Sequence, residues 1–257
     1  MHVKKPLAKP ANVIYVYDGS LSGLLCCVHE SVYLHEIPVA IESEHESQPS
    51  IITQKYIATD VQKAQRVKKS IPLKISPPAL SLVENVFLTN APEKELMILN
   101  FLLFAYREGK EAMYMISNEN VDPLLKAQRH LLSEAHLLTG FIRFSDYGKG
   151  LGAVITPKNF VLPLLAPHFI NRFRNENFII FDKCHNAALI YSNKKYNIVP
   201  VNELSFPDVP ETESNYRALW KQFYSTIAIE SRYNPKCRMT HLPKRYWQNM
   251  TEMIDFL

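Results

Sequence analysis

Glycine is scarce in this chain, with seven residues, whereas proline is frequent, with 17. Turns are therefore fixed by proline more than loosened by glycine. Cysteine is scarce too. Cys26, Cys27, Cys184 and Cys237 form no CxxC pair, so no structural zinc site is expected. Four cysteines in this length make no disulfide framework, which fits a reducing compartment. Adjacent Cys26 and Cys27 lie in an apolar run and read as small buried hydrophobes. Long apolar runs are missing: residues 96–106 are the longest candidate, well short of the ~18 that a membrane span needs. The basic start MHVKKPLAKP has no apolar segment behind it, so no secretory signal is expected and the protein is expected in the cytoplasm. Neither sign of charge dominates. A net charge of +4 is too weak by itself to argue for nucleic acid. HExxH, P-loop and GxSxG motifs are absent. His29 and His35, like His130 and His136, are six residues apart, which does not put a pair on one helix face for a metal.

What is present supports a sizeable core, since 47% of the 257 residues are hydrophobic. Residues 1–11 read as a loose tail broken by Pro6 and Pro10. Residues 12–17 (NVIYVY) fit a buried strand. Asp18-Gly19-Ser20 follows, with Ser20 placed to cap a helix over 21–35. A second strand is expected over 37–41 and a polar loop over 42–50. A strand, a polar turn and a helix start can hold phosphate, but Asp18-Gly19-Ser20 lacks the glycines of either nucleotide fingerprint, and a plain turn with a cap is the reading adopted.

From about 59 to 139 the periodicity is helical. Thr59 or Asp60 caps a helix to about 70, with Val61, Ala64, Val67 and Ile71 inward and Lys63, Arg66, Lys68 and Lys69 outward, either a solvated basic face or a phosphate-facing one. Pro77-Pro78, Pro92 and Asp122-Pro123 open three more helices. Residues 141–144 and 151–155 are expected as strands joined by a turn, Asn159 as the cap of a helix to 173, and 178–181 as a strand. A hairpin turns at Ser192-Asn193-Lys194. Residues 202–213 read as a Pro- and acid-rich linker. An amphipathic helix over 216–232 carries Leu219, Trp220, Phe223, Ile227 and Ala228, and a short helix closes the chain near 243–250. The fold class expected is α+β in one compact domain over 1–257. A mixed, largely antiparallel sheet forms from the N-terminal and 140–200 strands. It packs against the helical middle at 59–139 and the C-terminal helices, with a basic helical segment over 214–257.

Two stretches carry cations beside apolar runs. The first is 140–182. Arg143 in Phe-Ile-Arg-Phe needs an acid or an anionic ligand if buried, and Asp182 or Glu134 are the core acids at hand. His168 and Arg172, four apart on one helix, lie near Pro163 and Pro167, where a late start or a kink would expose N–H groups to an anion. Arg174 follows. The second stretch is 232–247, RYNPKCRMTHLPKRYW. Arg232, Lys236, Arg238, His241, Lys244 and Arg245 are interleaved with Tyr233, Tyr246 and Trp247, and no acid intervenes. Cations with exposed aromatics suit phosphate charge and base stacking; the other reading is a basic surface whose Tyr246 and Trp247 pack inward. His136, His168, Asp182 and Asp18 are the possible acid/base groups, and spacing alone assembles no mechanism from them.

These residues resemble a bacterial family described as DNA metabolism or repair proteins, built on a domain of unknown function. The resemblance rests on Tyr17-Asp18-Gly19-Ser20, on Glu134-Ala135-His136 leading to Gly140-Phe141-Ile142-Arg143-Phe144, and on the LPLLAPHF string from Leu162 to Phe169 with Arg172-Phe173. It continues through Ala228-Ile229-Glu230, Arg232, Asn234-Pro235 and the HLPKRYW string from His241 to Trp247. It runs over essentially the whole chain. Leu138-Thr139 stands where a basic residue often precedes the Gly-Phe motif, and Ser231 and Tyr233 replace residues that are often charged. The resemblance implies a DNA-linked role beside a radical-SAM protein of DNA modification or repair, with relatives joined to uracil-DNA-glycosylase-like domains. Iron–sulfur chemistry would then belong to the partner, and no cofactor or metal is expected here. The function expected is a DNA-binding accessory protein that uses Arg143, His168, Arg172, Arg232, Asn234, His241, Lys244, Arg245, Tyr246 and Trp247. The alternatives are an enzyme on a nucleotide or damaged base with a His/Arg site, and a protein-interaction module.

Overall fold

The computed structural model describes residues 8–45, 47–232 and 234–256. Its contacts divide the chain into two units, residues 1–131 and 132–257. In the first unit, β1 (Lys9–Pro10) pairs in parallel with β3 (Glu36–Ile37). The main sheet has three parallel strands in the order β4-β2-β5, where β2 is Val13–Tyr17, β4 Ala40–Ser43 and β5 Thr53–Tyr56. Parallel neighbours need a crossover, and α1 (Leu21–Leu34) supplies it between β2 and β4. The cap expected at Ser20 is present: its Oγ accepts from the Gly23 amide at 2.9 Å. Asp18 accepts from the Ser20 amide at 2.9 Å and from the Ser20 and Thr59 hydroxyls, each at 2.7 Å. Burial alone would raise this carboxyl, but the Ser20 and Thr59 hydrogen bonds hold it below its usual range. The loop at the helix start is thus bonded around its own carboxylate, as a turn with a cap requires.

Three helices complete the unit: α2 (Val61–Lys74), α3 (Pro77–Phe87) and α4 (Lys94–Glu108). Asp60 caps α2 through the amides of Gln62 and Lys63, and Ser76 caps α3 ahead of Pro77-Pro78. The α4 helix is buried at Ile98, Leu99, Phe101, Leu102 and Ala105, so it lies in the core shared by Tyr15, Tyr17, Leu24, Ile71 and Leu82. A 3-10 turn, Gly109–Tyr114, leads to α5 (Asp122–Phe141).

The second unit holds a five-stranded mixed sheet in the order β10-β9-β8-β7-β6. Its strands are β6 (Ser145–Asp146), β7 (Leu151–Ile155), β8 (Phe178–Asp182), β9 (Ala187–Ser192) and β10 (Lys195–Pro200). Only β7 and β8 are parallel, and α6 (Leu162–Arg172) connects them. The α+β class and mixed sheet hold, but the N-terminal strands form their own parallel sheet instead of joining this one. Four local expectations also shift. Residues 140–141 end α5 rather than opening a strand, because Leu138 continues the helix and the Ile142 amide donates to its carbonyl. The polar TQKY segment of β5 is a strand where alternation gave no sign of one. Asn159 does not cap α6, since its amide and side chain both bond Glu134, and the helix begins at Leu162 and runs through Pro167. Finally, the 202–213 stretch is pinned at Phe206, whose ring stacks on Tyr147 at 5.1 Å and covers Gly152, where a Cβ would lie 2.4 Å from it.

The C-terminal part consists of α7 (Glu211–Thr226), a 3-10 turn at Glu230–Arg232, α8 (Pro235–His241), and 3-10 turns at Lys244–Asn249 and Ile254–Phe256. No helix among the described residues is long and apolar enough to cross a membrane.

Candidate nucleic-acid interface

The site grows from two buried carboxylates that hold the C-terminal segment onto the end of α5. Glu134 is 3% exposed. Its oxygens accept from the Lys158 and Asn159 amides at 3.0 and 2.9 Å, from Asn159 Nδ2 at 2.6 Å and from the Tyr246 hydroxyl at 3.2 Å. Arg245 Nη2 lies 3.2 Å from the same carboxylate. A buried charge is tolerated when paired and fully hydrogen-bonded, and Glu134 meets both conditions. Burial first, and then the Glu134 charge, push the Tyr246 hydroxyl up to about 12, against the pull of Arg245.

The second carboxylate is Glu252. Arg143 donates to it from Nε at 3.2 Å to both oxygens and from Nη2 at 2.6 Å, and its Nη1 donates to the Gly140 and Ile142 carbonyls at 2.8 and 3.2 Å. The acid expected for Arg143 was Asp182 or Glu134; the partner is neither. Asp182 is fully buried and accepts from the Cys184 and His185 amides, and its Oδ2 lies 2.7 Å from His185 Nδ1. Nothing in the sequence singled out Glu252 or His185. Burial alone would raise the Glu252 carboxyl, but hydrogen bonds from Arg143, from the backbone and from Trp220, with the Arg143 charge, together hold the group below its ordinary range.

Over this ion pair lies Trp220, with Arg143 Cζ 5.8 Å from its ring. The α7 helix is attached through its polar side. Arg217 bonds both Glu213 and Ser145, and Glu213 accepts from the Asp146 amide. Most of its apolar stripe is therefore left in solvent, while Trp220 turns toward Glu252 and hydrogen-bonds it. Tyr216, Leu219, Trp220, Phe223 and Ile227 are 70, 59, 40, 53 and 57% exposed, and Trp220 stacks on Phe223 at 5.7 Å with planes 27° apart. The amphipathic helix expected over 216–232 runs from Glu211 to Thr226 with no fully buried residue. A cleft of about 1010 Å³ opens beside α7, lined by Lys221, Gln222, Ser225, Ile229, Arg232, Asn234, Cys237, Arg238 and Phe256. Glu252 is the one carboxylate among its described lining residues, and Arg143 neutralises it.

The residues singled out from the sequence divide between this surface and other places. Arg232 and Asn234 line the cleft, and Asn234 also caps α8 through the Cys237 amide at 3.0 Å. Lys236 and Lys244 are exposed, and Lys244 lies over Trp247 at 5.6 Å. His241 is exposed and its Nδ1 donates to the Cys237 carbonyl at 3.0 Å. Tyr246 and Trp247 are both 2% exposed, with Trp247 Nε1 bonded to the Leu242 carbonyl, so they offer no face for stacking. Tyr216, Trp220, Phe223 and Phe256 are exposed instead. Tyr233 lies outside the described residues. On α6, His168 and Arg172 are exposed against Phe169 and Phe173, and Arg172 lines a separate depression with Asn171 and Arg174. His136 is exposed on α5. Arg143 is engaged by Glu252 and Asp182 by His185, and His168 meets the ring of Phe169. No group of three or more metal-binding side chains occurs among the described residues.

A domain of unknown function, DUF4130, matches residues 92–252. The chain belongs to the DUF4130 family. The DUF4130 match takes in Glu134, Arg143, α6, α7 and the cleft-lining Arg232 and Arg238, and it ends at Glu252 itself. None of the curated proteins compared with the chain matches it.

Proposed function

We propose that this DUF4130 protein is a DNA-binding accessory protein of repair or modification. The observation that carries the reading is the cleft beside α7, lined by Arg232 and by Arg238, whose guanidinium lies over Trp247 and Phe256, while the Trp220–Phe223 stack sits on the same helix outside the cleft lining. Guanidinium groups meet phosphates in forked geometry, and bare aromatic faces accept unstacked bases, so the combination favours single-stranded over duplex DNA. Arg143 contributes by cancelling Glu252 and backing Trp220, a positioning role rather than a phosphate contact.

The apolar stripe Tyr216–Leu219–Phe223–Ile227 supports a protein partner as well, since contiguous exposed apolar surface on a small protein marks an interaction site. By resemblance we assign that partner as a radical-SAM protein, which would bring the reactive chemistry. The enzyme alternative loses ground because its His and Arg groups are engaged separately. Fluorescence anisotropy with a labelled single-stranded oligonucleotide, in rising salt, tests the DNA reading; co-purification with the partner before and after Leu219→Asp tests the docking face.

A further inference from the structure

The first unit carries a second concavity, far in sequence from the C-terminal cleft and independent of the DNA reading. It is a groove of about 400 Å³ between α1 and α2, closed at its base by Tyr106 of α4. Its floor is apolar: Val28, Val32 and Val67. One wall is Arg66, Ser70 and Lys74, spaced four apart on α2, so they form a single stripe about 12 Å long. The other wall is the ring pair His29–Tyr33, 6.4 Å apart and 15° from parallel, with Tyr33 73% exposed.

The chemistry of these groups is one-sided. No carboxylate is among the described lining residues, and neither Arg66 nor Lys74 forms an ion pair with a described residue. Ser70 Oγ lies 2.8 Å from the Val67 carbonyl and donates to it, so the 2.6 Å contact with Tyr106 has the phenol as donor. Burial raises the Tyr106 phenol above its usual range, which keeps it neutral and bonded. His29 Nδ1 is buried without a hydrogen-bond partner among the described residues. With no acceptor beside Nδ1, a ring proton on Nε2 is the one that could bond a ligand.

We infer that the groove between α1 and α2 binds a heteroaromatic anion of nucleotide size, its ring against His29 and Tyr33 and its anionic group on Arg66 and Lys74. The volume suits a small ligand, the apolar floor and aromatic wall suit a flat ring, and His29 Nε2–H can donate to a ring nitrogen or carbonyl. Arg66 and Lys74, with no carboxylate among the described lining residues, set the sign of the charge.

The probes are adenosine 5′-monophosphate, adenosine and inorganic phosphate, added to the full chain labelled with 15N-histidine. His29→Phe assigns the His29 signals among the nine histidines. The expected result is a saturable shift of the His29 ring nitrogens with the monophosphate, at least tenfold weaker with adenosine or with phosphate alone. Arg66→Ala/Lys74→Ala, at exposed positions that leave the core untouched, weakens the monophosphate at least tenfold while an unchanged circular dichroism spectrum shows the fold intact. No shift at millimolar monophosphate overturns the proposal. So does phosphate acting as strongly as the monophosphate, or the double variant binding unchanged.

Discussion

The guanidinium of Arg143 grips the carboxylate of Glu252, 109 residues further on, with Nη2 2.6 Å from Oε1. Glu252 is 5% exposed, so this is the charge the C-terminal segment has to bury in order to close. Arg143→Ala leaves that carboxylate unpaired and should cost about 3 kcal/mol in urea denaturation. Arg143→Lys should recover only part of it, because an ammonium cannot make the forked contact.

The same pair predicts an acid limb. The Glu252 carboxyl is lowered in the folded state from 4.5, so its contribution is present above that value and is lost as the pH falls through the lower folded one. Thermal melts should show a loss of stability below about pH 4.5 that is reduced in Arg143→Ala. An identical acid limb in the variant would mean that Glu252 is not held by Arg143.

Glu134→Gln puts an amide NH₂ among groups that are themselves donors, the Lys158 and Asn159 amides and Arg245. A drop of about 2 kcal/mol is expected. Removing the Glu134 charge should also lower the Tyr246 hydroxyl from about 12 part of the way toward 10.0, the remainder being due to burial. Tyr246 contributes stability below pH 10.0 that is lost as the pH rises through about 12, so the variant should lose less on the alkaline side. Ultraviolet titration of the tyrosines, with Tyr246→Phe as the reference, measures this.

Asn193 and Lys194 turn the β9–β10 hairpin with φ of 51° and 60°. Both central residues of such a turn are left-handed, which suits Asn and Gly far better than Lys. Lys194→Gly should stabilise the second unit by about 0.5 kcal/mol without changing DNA affinity. An unchanged or lower melting temperature would contradict the turn geometry.

Local signals served the sequence reading well and long-range ones served it poorly. Ser20, Asp60 and the Pro77-Pro78 start are set by hydrogen bonds within a few residues, and all three appear as expected. The hairpin at Asn193 likewise needs only its own strands. The strand expected over 141–144 is absent, because Phe-Ile-Arg-Phe alternates like a strand while Phe141 ends a helix and 142–144 have no regular structure. Which face of α7 is inward depended on Glu213 and Arg217 reaching Ser145 and Asp146, which periodicity cannot register. The 232–247 segment is basic, as its sequence shows, but Tyr246 lies inside through its bond to Glu134, more than 100 residues earlier in the chain.

In the proposed interface, the exposed Trp220 and Phe223 take the place expected of Tyr246 and Trp247. Phe223→Ala removes an exposed ring, so stability should stay within about 0.5 kcal/mol while affinity for single-stranded DNA falls about tenfold. Trp247→Ala should do the opposite and unfold the segment, since that side chain is 2% exposed.

The most direct test is the salt dependence of oligonucleotide binding by the wild-type chain and by Arg232→Ala, followed by anisotropy. Wild-type affinity for single strands should fall linearly in log–log form, and the variant should flatten that slope by about 0.7, one lost phosphate contact. Absence of binding at low salt, with the partner present or not, or a slope unchanged in the variant, would contradict a nucleic-acid interface at this cleft.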